Sequence, residues 1–133
     1  MYYIKFIMKN NFFKLLEYLY YFSLVALFAL YLFPGSLIGY LLYGDFGKQP
    51  DFIPNPIGTS INHALAFFYL SVIGLVSCLR DKNFHKIIIF LTFVSIVLEL
   101  SHYFVPNRSF QFLDLFANLF GVMLAIFIII FYK

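Results

Sequence analysis

ELSHYFVPNRSFQFLDLFANLFG, residues 99–121, joins two strongly apolar segments across a short turn. Glu99, His102, Arg108, Asp114 and Asn118 gather there in a chain with few polar residues elsewhere. Polar and ionisable groups in or beside a membrane span are expensive to desolvate, which makes each a candidate functional residue. The reading of this stretch depends on whether the flanking segments cross a membrane.

Composition favours that they do. Of 133 residues, 63% are hydrophobic, 23% aromatic and 11% charged, with mean hydropathy +0.91. A soluble domain carries about a quarter charged residues, enough to face water on all sides. This chain lacks that supply, so lipid is the solvent its surface suits. Its length matches one compact unit spanning 1–133. The single cysteine, Cys78, excludes an intramolecular disulfide. The net charge of +3 sits at the ends of apolar runs instead of forming a basic stripe, so no nucleic-acid partner is expected.

Four runs have the length and apolarity of spans, at about 15–33, 60–79, 87–104 and 113–132. The 19 residues of the first, at about 1.5 Å each, give roughly 28 Å, close to the hydrocarbon thickness of a bilayer. A signal peptide would share its basic start. Pro34-Gly35-Ser36 follows without a clear small-x-small cleavage site, which favours a retained helix. Glu17 then reads as a snorkelling group or a partner of Lys14, three residues away.

Residues 34–59 hold four of the five prolines and five of the seven glycines, a density that marks a loop. Within it, Leu37 to Tyr43 is too short to span and fits an interfacial or re-entrant turn of helix. Tyr40, Tyr43, Phe46 and Phe52 would sit at headgroup depth. Thr59, Ser60 and Asn62 are candidate N-caps for the second span.

Lysine and arginine accumulate on the cytoplasmic side of membranes. Lys5, Lys9 and Lys14 precede the first span, and Arg80, Lys82 and Lys86 lie between the second and third. The first loop has one Lys against two Asp, and the third has one Arg. The expected fold is therefore an all-α, integral membrane four-helix bundle. Both termini are cytoplasmic, and the long Pro/Gly-rich first loop is extracytoplasmic.

This topology collects His63, Glu99, His102, Arg108 and Asp114 at one depth, in the outer leaflet. Glu99 and His102 are i, i+3, and Asp114 and Asn118 are i, i+4, so each pair shares a helix face. Gly121 continues the second face one turn further, where a missing side chain permits close helix approach. Ser101 and Ser109 offer hydroxyls of little weight, and His85 belongs to the basic cytoplasmic loop.

Every one of these residues also has a purely structural reading. Arg108 could pair with Glu99 or Asp114, Asp114 could cap the fourth helix, and Asn118 could bond across helices. Glu-x-x-His is a metal-binding spacing in helical bundles, with His63 and Asp114 as further ligands. Only one copy occurs, so no metal or other cofactor is expected. For ligand binding, the candidates are Arg108, Asp114, Asn118, Glu99 and His63, with Arg108 and the helix amides suited to an anionic headgroup. For catalysis, His63, Glu99, His102 and Asp114 are the acid–base candidates.

The segments Glu99-Leu-Ser-His102, Val105-Pro-Asn-Arg108-Ser-Phe and Asp114-x-x-x-Asn118-x-x-Gly121 resemble the signature of VanZ-like membrane proteins. His63-Ala-Leu-Ala-Phe67 is similar to that family's second-helix histidine segment. The chain departs from the pattern at three places. Thr59 and Ser60 stand where Asp-Lys is common, Phe67 replaces a tyrosine, and His102 replaces a glutamine. The resemblance implies a small multi-pass protein of the bacterial cytoplasmic membrane, linked through the family's namesake to glycopeptide (teicoplanin) resistance. The expected partner is a membrane lipid or lipid-linked envelope precursor. An enzyme acting on such a lipid, or a structural partner without a ligand site, are the alternatives.

Overall fold

The computed structural model describes residues 2–48, 58–79 and 83–132, with side chains from Asn11 onward and from Ser60 onward after the first gap. Phe52, three of the first-loop prolines, and Arg80, Asp81 and Lys82 lie outside the described residues, as do the side chains of Lys5, Lys9 and Thr59. Five helices and, among the described residues, no strand make up the fold. They are α1 (Tyr2–Leu32), α2 (Leu37–Tyr43), α3 (Gly58–Ser77), α4 (Phe84–Ser101) and α5 (Phe112–Tyr132). Four are long and apolar enough to cross a membrane, over Asn11–Leu32, Ser60–Ser77, Phe84–Ser101 and Phe112–Tyr132.

Helix boundaries differ from the sequence-based ones in instructive ways. α1 extends back through the lysine-bearing segment, because nothing in residues 2–14 breaks a helix. Lys14 and Glu17 stand exposed on it. α3 starts at Gly58, so Ser60 and Asn62 lie inside the helix and are not its caps. α4 ends at Ser101 rather than Phe104, with His102 as its C-cap. A proline at 106 disfavours helical backbone at the residue before it, and a loose turn over residues 102–107 takes up the difference. Asn107 in that turn has φ 58°, a left-handed conformation that asparagine tolerates.

The short α2 is built into a clasp. Ser36 accepts the Gly39 amide on its Oγ as an N-cap, and Gly44 closes the helix with φ 69°. Ser36 N donates to the Phe46 carbonyl at 2.7 Å, and the Tyr40 and Phe46 rings stack at 4.1 Å. A side chain at Gly39 would run into the Lys48 carbonyl, so the returning segment of the clasp lies against bare backbone.

α3 is the central helix. It packs most extensively on α5, then on α1, and more lightly on α4. Phe67, Leu70, Leu75, Leu91, Leu98, Val122 and Ala125 form the buried apolar core. Outside it, Phe112, Phe116, Phe120, Phe127 and Phe131 of α5 are all exposed, a broad apolar face that suits lipid and not water. In lipid, apolar surface gives helices no reason to associate, so close packing and polar contacts must hold them together. Gly121 supplies the close packing: a Cβ there would meet the Ala64 carbonyl and the Phe68 amide of α3.

The Gly121→Ala variant is expected to force α3 and α5 apart and destabilise the bundle by about 1–3 kcal/mol, the usual range for overpacking. Thermal melting in detergent should show a lower midpoint for it and little change for Phe120→Ala, on the exposed side of the same helix. Equal midpoints for Gly121→Ala and the parent chain would remove the close approach from the account.

Candidate functional site

The C-terminal ends of α1 and α4 and the N-terminal ends of α3 and α5 meet at one end of the bundle. They bring together Tyr31, Ser60, His63, Ser95, Glu99, His102, Asp114 and Asn118. Glu99 is the centre, with a relative exposure of 0%. A carboxylate this deep requires donors on both oxygens. Oε1 has His102 Nδ1 at 3.3 Å and accepts the Gln111 backbone amide at 3.3 Å. Oε2 accepts Asn118 Nδ2 at 3.3 Å and has His63 Nδ1 at 3.5 Å. Three elements and a turn converge on one acidic side chain.

The network determines its own hydrogens. Asn118 Nδ2 faces two acceptors, Glu99 Oε2 and the Ser95 carbonyl, so its Oδ1 must face the other way. There it accepts the Tyr31 hydroxyl at 2.8 Å. That bond uses the only phenolic hydrogen. His63 Nδ1, 2.8 Å from the same oxygen, must therefore be the donor to Tyr31. His63 Nε2 points to the second carboxylate, Asp114 Oδ2, at 3.8 Å. Asp114 lies in the first turn of α5, where the helix dipole favours a negative charge, and its Oδ1 accepts Ser60 Oγ at 2.5 Å.

Tyr31 is the hub that sequence reasoning missed. Its ring stacks on His102 at 5.3 Å with 16° between planes, and meets His63 and Phe67 edge-on. A buried tyrosine needs a partner for its hydroxyl, but the chain has 11 tyrosines and nothing local separates this one. Ser60 reads in the sequence only as a helix cap, and Ser95 and Gln111 contribute backbone groups that carry no sequence signal at all.

Arg108 departs from the expected ion pair. Its Nη2 donates to the Leu30 carbonyl at 2.9 Å, and among the described residues the imidazoles of His63 and His102 are what stand against the Glu99 and Asp114 carboxylates. The physical reason lies four residues beyond Leu30. Pro34 has no N–H, so the Leu30 carbonyl lacks its helical partner and Arg108 supplies one. Arg108 Nε remains buried with no protein partner, as does His102 Nε2. Burial pushes the Arg108 guanidinium down from its ordinary value, an effect partly offset by Tyr31, Glu99 and Asp114.

Both unpartnered atoms belong to residues lining a cavity of about 670 Å³ between α1, α2 and α3. Tyr31, Ser36, Asn62 and His63 line it beside them, while Leu27, Leu37, Leu65 and Tyr69 provide apolar wall. Glu99 and Asp114 are not among the lining residues; they stand behind the imidazoles. Among the described residues, no cluster of three or more His, Cys, Asp or Glu has the arrangement to hold a metal ion.

Four membrane-length helices around a buried polar centre define the class: a small, multi-pass helical membrane protein. The chain matches the VanZ/LLP1 family model over residues 3–133 and belongs to that family. No curated protein matches it, and no solved structure does.

Because Asn118 Nδ2, the Gln111 amide and His102 Nδ1 all present hydrogens to the carboxylate, Glu99→Gln places an amide NH₂ against N–H groups. A loss of about 3 kcal/mol is expected, the upper end of the range for hydrogen bonds to a charged group. Tyr31→Phe keeps the ring contacts and removes one hydroxyl, so about 1–2 kcal/mol is expected. Denaturant titration in mixed micelles checks both, and a Tyr31→Phe loss as large as that of Glu99→Gln would contradict the central place given to Glu99.

Proposed function

We propose that the protein binds a lipid or lipid-linked envelope precursor by its anionic headgroup, in the cavity at the α1–α3 end of the bundle. The observation that carries this reading is the cavity's two-part lining. Apolar side chains of α1, α2 and α3 make a wall suited to an acyl or isoprenoid chain. Arg108, with a buried and unpartnered Nε–H, stands at the polar end. Guanidinium groups suit phosphate and carboxylate geometry, and a low-dielectric surround strengthens the contact. Arg108 contacts the anion. Glu99, Asp114 and Asn118 act from behind by holding His63 and His102 in place.

The lysine and arginine distribution supports an orientation with this end of the bundle in the extracytoplasmic leaflet, and the family resemblance supports a bacterial cytoplasmic membrane. There it would meet envelope precursors, the targets of glycopeptides, which accords with the teicoplanin link the family's namesake carries.

Two measurements test the proposal. Native mass spectrometry of the full chain, released from detergent with anionic phospholipid, should retain lipid on the parent protein and lose most of it on Arg108→Gln; equal retention overturns the assignment of Arg108. For orientation, a cysteine at Asp45 in a Cys78→Ser background should react with an impermeant maleimide added to intact cells, and one at Asp81 should not. Labelling at 81 alone inverts the topology.

A further inference from the structure

The polar end of the cavity offers two different valences. Arg108 Nε carries a hydrogen and can only donate. His102 is the opposite. Its Nδ1 is turned to Glu99 Oε1 at 3.3 Å, and a carboxylate oxygen can only accept, so the neutral imidazole carries its hydrogen on Nδ1. Nε2 is then a bare lone pair. It is buried, has no protein partner, and belongs to a residue with only 3% exposure on the cavity wall. The ring cannot readily turn to change this, because Tyr31 stacks on its face and Glu99 holds its edge.

Buried polar atoms are normally paired, and an unpaired acceptor in a low-dielectric site penalises any occupant that cannot donate to it. We infer that the headgroup bound here carries a hydrogen-bond donor, a hydroxyl or an N–H, beside its anionic group. Arg108 takes the anion and His102 Nε2 accepts from the donor. This rests on the headgroup reading above and narrows it to hydroxylated or N–H-bearing anionic amphiphiles. Phosphoglycerol lipids and lipid-linked sugars share that chemistry. Simple alkyl phosphodiesters lack it. His102 is a specificity residue in this account, reading one hydrogen atom of the ligand.

The test compares two lipids of equal charge and chain length on the 133-residue chain in detergent, at about pH 8. Phosphatidylglycerol has hydroxyls beyond its phosphodiester; phosphatidylmethanol has a methyl group. Competitive native mass spectrometry is expected to show a preference for phosphatidylglycerol of about tenfold, the discrimination one buried hydrogen bond commonly supplies. His102→Phe keeps an aromatic ring against Tyr31 and removes the acceptor, so both lipids should bind it equally. His102→Gln offers an amide that can donate to Glu99 and accept from the ligand, and should keep most of the preference. Should His102→Phe fail to fold, the His102→Gln result and the parent preference still decide the matter. Equal binding of the two lipids to the parent chain, with both lost in Arg108→Gln, overturns the donor requirement and leaves the headgroup reading standing. A preference that survives in His102→Phe assigns the discrimination elsewhere and overturns the role of His102. Absence of both lipids from the parent chain removes the headgroup reading and this inference together.

Discussion

Burying one carboxylate organises this bundle. Glu99 has no exposed surface, and an ionised carboxyl inside a protein is tolerated only when its lone pairs are met. Its four contacts come from His63 of α3, Asn118 of α5, His102 at the end of α4 and the Gln111 amide in the turn between. Moving any of those elements strips a donor from a buried charge. In a solvent where apolar surface does not drive helices together, such a hub does the work that a hydrophobic core does in water.

Around that hub, α1 is attached through two features of its last turns. Tyr31 enters the network by donating to Asn118 and accepting from His63. One residue earlier, the Leu30 carbonyl takes the Arg108 guanidinium because Pro34 cannot serve it. The cavity lies beside these contacts, lined by residues of α1, the α2 clasp and α3. The same arrangement orients two imidazoles. Both turn Nδ1 inward to the network around Glu99 and both line the cavity; His63 Nε2 faces Asp114, and His102 Nε2 has no protein partner.

Much of this was legible in the residues. Hydropathy marks four spans, with differences confined to helix ends: α1 continues back through a polar segment that nothing breaks, and α4 stops early ahead of Pro106. Helical spacing puts Glu99 with His102 and Asp114 with Asn118, and the alternation of spans brings His63 to the same end. Three things were not legible. Tyr31 is one tyrosine among many, and its partners lie 32 and 87 residues away. Ser60 reads as a helix cap until α3 starts two residues before it and its hydroxyl meets Asp114 instead. Arg108 reads as half of an ion pair, since opposite charges are the obvious match when backbone carbonyls cannot be ranked.

Apolar run length and scarcity of charge settle that these helices belong in a bilayer, because every residue contributes to those sums wherever its neighbours lie. The spacing of polar residues along each helix likewise settles which of them share a face. Which acceptor each donor reaches is a different kind of fact. It depends on the rotation and separation of helices far apart in the chain, governed at Gly121 by a missing side chain and at Glu99 by the need to satisfy four lone pairs at once. Only the folded bundle could turn a list of polar residues into a carboxylate ringed by polar groups, a proline-freed carbonyl held by arginine, and one buried histidine nitrogen without a partner on a residue that lines a cavity.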